Sequence, residues 1–166
     1  MNKINFKKIL QNFIIILAIF LTDRISKIYI LKIAQIENSV DIYLTEYLNF
    51  YLIWNKGIAF GMLSFNETSI YNTITIIISL ITVIILVIAI RNKGFKQYSL
   101  LFIFGGSLGN LFDRIYYSAV PDFIDLHYKS FHWFIFNVAD IFITFGVICL
   151  IFAEIFYKNN KYEKNI

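Results

Sequence analysis

The 166-residue sequence contains a single proline, Pro121, a single cysteine, Cys149, and only two histidines. One cysteine excludes an internal disulfide and a cysteine-based zinc site. With so little proline and no Gly/Ser-rich tract there is no linker, so one domain over 1–166 is expected, and no repeat of solenoid or propeller period is present. Charge is scarce as well: 16% of residues are Asp, Glu, Lys or Arg, against 58% hydrophobic and 19% aromatic. A soluble domain is roughly 45–50% apolar. Together with a mean hydropathy of +0.67, these proportions point to a membrane protein.

Four apolar runs are long enough to matter, at about 9–30, 70–90, 97–113 and 136–156. A membrane helix needs about 20 mainly apolar residues, because hydrocarbon offers unpaired backbone amides no partner. Ser64 with Glu67, or else Asn66, is placed to cap the second run. Basic clusters at Lys3, Lys7 and Lys8, at Arg91, Lys93 and Lys96, and at Lys158, Lys161 and Lys164 fall on one side if all four runs cross. That side holds nine of the fifteen basic residues and only Glu154 and Glu163 among the eleven acids. The excess of Lys and Arg assigns it, with both termini, to the cytoplasm. The net charge of +4 is then a topology signal, and no nucleic-acid partner is expected. Lys7 and Lys8 before an apolar stretch also resemble a cleavable signal, but no small-x-small site follows, so the first run is expected to be retained.

Between the first two runs, the segment 37–65 has strand character. Val40, Ile42 and Leu44, then Leu48, Phe50, Leu52 and Trp54, recur with a period of two, and "NKGIAFG" (55–61) follows as a turn. A small sheet on the outer membrane surface fits, with Tyr43, Tyr47, Phe50, Tyr51 and Trp54 at headgroup level.

Ionisable groups within membrane spans cost about 2.5–3.5 kcal/mol each near the centre and therefore mark function by default. They gather at the outer ends: Asp23 and Lys27, four apart on one helical face; Gly106, Asn110 and Asp113 or Arg114; and Asn137, Asp140 and Thr144. Converging, they would line one pocket. Asp23 with Lys27, or Asp113 with Arg114, are equally readable as structural charge pairs. Gly105 and Gly109 form a Gly-x-x-x-Gly surface for close helix packing. His127 and His132 lie near Asp122 and Asp125 but in no H-E-x-x-H pattern, so they read as interfacial hydrogen-bonding residues, and neither metal nor cofactor is expected. Asp140 is different, since no other charge follows it until Glu154. Paired with Asp122, it makes chemical sense. Two close carboxyl groups cannot both ionise, so one is a base while the other is an acid, and a water between them can be driven onto an amide carbonyl. An ion or proton pathway would instead leave polar residues along the whole depth of the runs, and a non-enzymatic scaffold leaves Asp140 unexplained.

Five blocks, "DRISK" (23–27), "NKGIAFG" (55–61), "GGSLGNLFDR" (105–114), "VPDF" (120–123) and "FNVAD" (136–140), together resemble the lipoprotein signal peptidases, or signal peptidase II, over nearly the whole chain. The resemblance implies an all-α membrane protein with four transmembrane helices and a small β-sheet cradle on the extracytoplasmic side. It implies an aspartyl endopeptidase with Asp122 and Asp140 as the catalytic pair, and with Asp23, Lys27, Asn55, Gly57, Asn110, Asp113, Arg114 and Asn137 as substrate-binding or bracing positions. The implied substrate is a diacylglyceryl-modified prolipoprotein cut before its lipobox cysteine, at the outer leaflet edge of the bacterial inner membrane. A globomycin-type inhibitor would fill the same groove, membrane lipid would be the other contact, and the enzyme would act as a monomer. Pro121 departs from the commoner V-V-D-F form and implies a stiffer loop before Asp122.

Overall fold

A computed structural model of the chain describes residues 6–57, 68–129 and 131–163, with side chains up to Ile155. Helix α1 (Phe6–Glu37) leads into strands β1 (Asp41–Thr45) and β2 (Leu48–Asn55). Helices α2 (Thr68–Arg91) and α3 (Phe95–Tyr117) follow, then β3 (Val120–Tyr128), β4 (Phe131–Phe136) and α4 (Val138–Glu163). The molecule is thus mostly helical with one small antiparallel sheet of order β1-β2-β3-β4. The capping candidates Ser64, Asn66 and Glu67, residues 58–61 of the expected turn, Lys3, Lys164 and the side chains of Lys158 and Lys161 lie outside this description.

α2 and α4 are each long and apolar enough to cross a membrane. Their outward faces carry Ile76, Ile77, Leu80, Val83, Ile84 and Ile88 on α2, and Ile141, Phe145, Ile148 and Ile151 on α4, all exposed. The buried residues of α2 are instead Tyr71, Thr82 and Ala89. Large apolar side chains outside and small or polar ones inside is the arrangement expected where lipid is the solvent. α1 and α3 are also long, but they carry charge within their length: Asp23, Arg24 and Lys27 on α1, Asp113 and Arg114 on α3. All five are buried.

α3 is the hub. Helices approach it closely because glycine leaves room: a Cβ on Gly105 would stand 3.0 Å from Ile19 of α1, and one on Gly109 would stand 2.6 Å from the Asp23 carboxylate. On the adjoining face, a Cβ on Gly106 would meet the Ala139 carbonyl of α4 at 2.5 Å. The close packing expected of Gly105 and Gly109 is therefore present, directed at α1. Ser118, in the left-handed region at φ 56°, ends α3 and turns the chain into β3.

The strand pattern over 37–65 resolves into β1 and β2. β3 and β4 are two further strands, where the sequence suggests only a loop before Asp122. β3 shows no polar–apolar alternation because it is a central strand, buried along Val120–Phe123 and again at Asp125. Pro121 sits within it, opposite Trp54, so the proline stiffens a strand and not a loop. Phe123 packs with Ile30 of α1 and Val40, anchoring the sheet on the helices. The antiparallel registers Asn55↔Val120 and Ile53↔Asp122 bring the end of β2 beside the start of β3, and β4 ends one residue before Asn137.

Candidate active site

Asp140 occupies the first turn of α4, and its position is fixed by the helix start itself. Asn137 caps the helix: its side-chain oxygen accepts the Asp140 N–H at 3.2 Å, and the Asp140 carboxylate accepts the Asn137 N–H in return at 3.2 Å. This reciprocal pair has the spacing of a capping box, with Asn and Asp in the places of Ser/Thr and Glu. A carboxylate in this turn also meets the favourable end of the helix dipole. The next free amide, Ala139 N–H, is capped from another helix by Asp23 at 3.0 Å.

Asp122 enters from β3. One of its oxygens accepts Asn137 Nδ2 at 2.6 Å and the other Asn55 Nδ2 at 2.9 Å. Asp140 accepts Asn110 Nδ2 at 2.8 Å. Asn137 therefore touches both carboxylates, and each carboxylate has a further asparagine on its far side. Both line one cavity of about 240 Å³, shared with Asn55, Asn110, Asn137 and Arg114. Burial and then the neighbouring Asp140 carboxylate push the Asp122 pKa up from 3.8 to about 7, against the opposing pull of the Asn55 and Asn137 hydrogen bonds.

Behind the cavity lies a charge cluster. The Lys27 ammonium has three N–H donors, and they are matched by Asp113 at 2.6 Å, Asp23 at 2.9 Å and Asn110 Oδ1 at 2.9 Å. Arg24 pairs with Asp113 at 2.5 Å and with Asp23 at 3.0 Å. Two cations and two anions thus balance in a fully buried cluster. Asp23, Lys27 and Asp113 are brought to the site behind Asn110, one step removed from the cavity wall. Asp113 takes Arg24 and Lys27 as partners, whereas Arg114 donates to the Gly57 carbonyl and lies over the Tyr71 ring. Gly57 in turn donates its N–H to Asn55 Oδ1 at 2.8 Å. Arg114 Nη1 is buried with no hydrogen-bond partner among the described residues.

Of the positions singled out in the sequence, Asn55, Asn110, Arg114, Asp122, Asn137, Asp140 and Thr144 face the cavity. Ser107, also on its wall, was not singled out, although it precedes Asn110 by three and so shares its helical face. Arg24 was overlooked too; its adjacency to Asp23 was the available signal. His132 meets Asp125 at 2.8 Å, the polar contact expected of that histidine.

The chain is also similar to known proteins along most of its length. The family model described as signal peptidase (SPase) II matches residues 15–156. A lipoprotein signal peptidase of Pelagibacter ubique is 57% identical over 99% of this chain and 100% of its own. One from Anaplasma phagocytophilum is 38% identical over 90% of this chain and 94% of its own. A solved structure described as a bacterial membrane enzyme superposes with a TM-score of 0.71 at 28% identity, covering 91% of each chain.

Proposed function

The chain belongs to the signal peptidase (SPase) II family, membrane enzymes that remove signal peptides from prolipoproteins, and on that footing we propose that it works as an aspartyl endopeptidase with Asp122 and Asp140 as its catalytic pair. The observation that carries this reading is the shared cavity, in which two carboxyl groups are joined through Asn137 and every asparagine touching them presents an N–H. With one proton between the pair, the ionised carboxylate draws a proton from a water in the cavity. That water attacks the scissile carbonyl, the protonated partner donates to its oxygen, and the same proton is passed on to the departing amine.

Arg114, through Nη1, and Asn55, through Gly57, are proposed to hold the substrate backbone. Asn110 and Asn137 orient the carboxylates, and Asp23, Lys27 and Asp113 brace Asn110 from behind. The substrate is a prolipoprotein whose lipobox cysteine carries diacylglycerol, cut immediately before that cysteine. An apolar groove of about 370 Å³ runs from Asp140 past Phe134, Phe136 and Phe145 to Ile148 and suits acyl chains. Such chains do not leave lipid easily, since each buried CH₂ is worth about 0.8 kcal/mol, so hydrolysis must take place at the membrane edge. On this reading the enzyme works in the bacterial inner membrane as a four-crossing monomer with cytoplasmic termini, its cavity at the outer leaflet and open to a globomycin-type inhibitor.

The test is a cleavage assay on a diacylglyceryl prolipoprotein in detergent. Asp122→Asn and Asp140→Asn are each expected to lower turnover by at least about 10²- to 10⁴-fold, the contribution of a positioned acid or base, while the thermal melt still reports a folded protein. Full activity in either variant removes that residue from the pair.

A further inference from the structure

Beyond the cavity, the β3–β4 hairpin gathers Asp125, His127 and His132, none of which takes part in the chemistry above. The donor atoms of the three side chains all lie within 4.8 Å of one another. Asp125 Oδ2 is 2.8 Å from His132 Nδ1 and 3.7 Å from His127 Nδ1. The two imidazoles are cross-strand partners, stacked with centroids 5.3 Å apart. Two atoms of the cluster, Asp125 Oδ1 and His127 Nδ1, are buried with no hydrogen-bond partner among the described residues. An unpaired buried polar atom costs about 1–3 kcal/mol. Lone pairs left over in such a cluster suit a bound cation.

We propose that Asp125, His127 and His132 bind one divalent transition-metal ion of the zinc type. Two imidazoles with a carboxylate suit zinc and its neighbours, whereas calcium and magnesium take oxygen ligands. Ligand atoms about 2.0–2.1 Å from a tetrahedral ion stand about 3.3 Å apart, and the observed 2.8 and 3.7 Å separations straddle that spacing. A hollow of about 480 Å³ adjoins the cluster at His127, lined also by Tyr43, Glu46, Tyr47 and Lys129. The neighbouring cation, Lys129, lies over the Tyr128 ring. The ion joins β3 to β4, the strands that lead to Asp122 and Asn137. Asp122 precedes Asp125 by three residues, about 10 Å along a strand, so the ion clips the sheet and stays out of the hydrolysis.

The experiment titrates Zn²⁺ into the metal-stripped, full-length protein in detergent, in competition with a chromophoric zinc chelator. One equivalent is expected to bind per chain. His127→Ala/His132→Ala is expected to weaken it by about 100-fold or more, since even the outer partners of metal ligands are worth about 10- to 100-fold. No bound equivalent in the wild type, or an equal one in the double variant, overturns the proposal. If the metal-free double variant melts early, Asp125→Asn, which keeps the side-chain shape, decides in its place: an unchanged zinc affinity there overturns it as well.

Discussion

An asparagine side chain accepts at one atom and donates at the other, so its usefulness beside a carboxylate depends on what holds the accepting end. In this cavity each accepting end is held by a group that can only donate: Lys27 Nζ for Asn110, Gly57 N–H for Asn55 and Asp140 N–H for Asn137. Every amide nitrogen is thereby turned toward an aspartate. The donors stabilise ionised carboxylates, yet burial and the second carboxylate win at Asp122, whose pKa stands near 7. The consequence for stability has a definite sign. Between about 4, where the unfolded chain releases this proton, and about 7, the folded protein binds more protons than the unfolded one, so stability falls as pH rises through that window and levels off above it. About three pH units at about 1.4 kcal/mol each give an effect on the order of 4 kcal/mol. Melts in detergent from pH 4 to pH 8 are expected to show a decline that is markedly flatter in Asp122→Asn; equal slopes would mean that Asp122 does not hold the raised pKa. Turnover is expected to fall above about pH 7, where the pair loses the proton it shares.

At the scale of elements, α3 sets the tolerances. Gly109 faces the same Asp23 carboxylate that caps Ala139 and pairs with Lys27, so a methyl group there acts on three structures at once. Gly109→Ala is expected to cost about 1–3 kcal/mol, the range for overpacking a tight contact, read as a lower melting temperature. An unchanged melt would show that Asp23 has room to retreat. The elements themselves were unequally legible in the sequence. Apolar runs announced the four helices, and alternation over Val40–Trp54 announced β1 and β2, where Asp41, Tyr43 and Tyr51 are exposed and Val40, Ile42, Phe50 and Leu52 pack against Phe123 or its neighbours. β3 hid behind burial on both faces and a proline, which ordinarily argues against a central strand, and β4 behind aromatic residues without alternation. Asp122 and Asp140 stood out because a charge in an apolar setting needs a reason. The capping box at Asn137 was visible only as an offset of three, and Arg24 gave no sign that it would turn to Asp113 on another helix.

For the molecule as a whole, the balanced cluster of Asp23, Arg24, Lys27 and Asp113 bears on how many helices cross the membrane. By length and composition alone, α2 and α4 qualify, and the charges of α1 and α3 count against those two. That objection assumes the charges meet lipid. They are instead buried between the helices and neutralise one another, while the outward faces of α1 carry Leu10, Phe13, Ile14, Leu17, Leu21, Ile25 and Ile28. A charge paired within the bundle does not bear the cost of an isolated one in hydrocarbon. At 32 residues, α1 is about 48 Å long, enough to cross about 30 Å of hydrocarbon and still support β1 outside it. The proposed four crossings put the sheet and the α2–α3 junction on opposite sides. In a Cys149→Ser background, Glu46→Cys and Lys129→Cys are expected to react with a membrane-impermeant maleimide in spheroplasts, and Lys7→Cys and Lys93→Cys only after lysis. Equal labelling of positions 7 and 46 would remove α1 as a span, and equal labelling of 93 and 129 would remove α3.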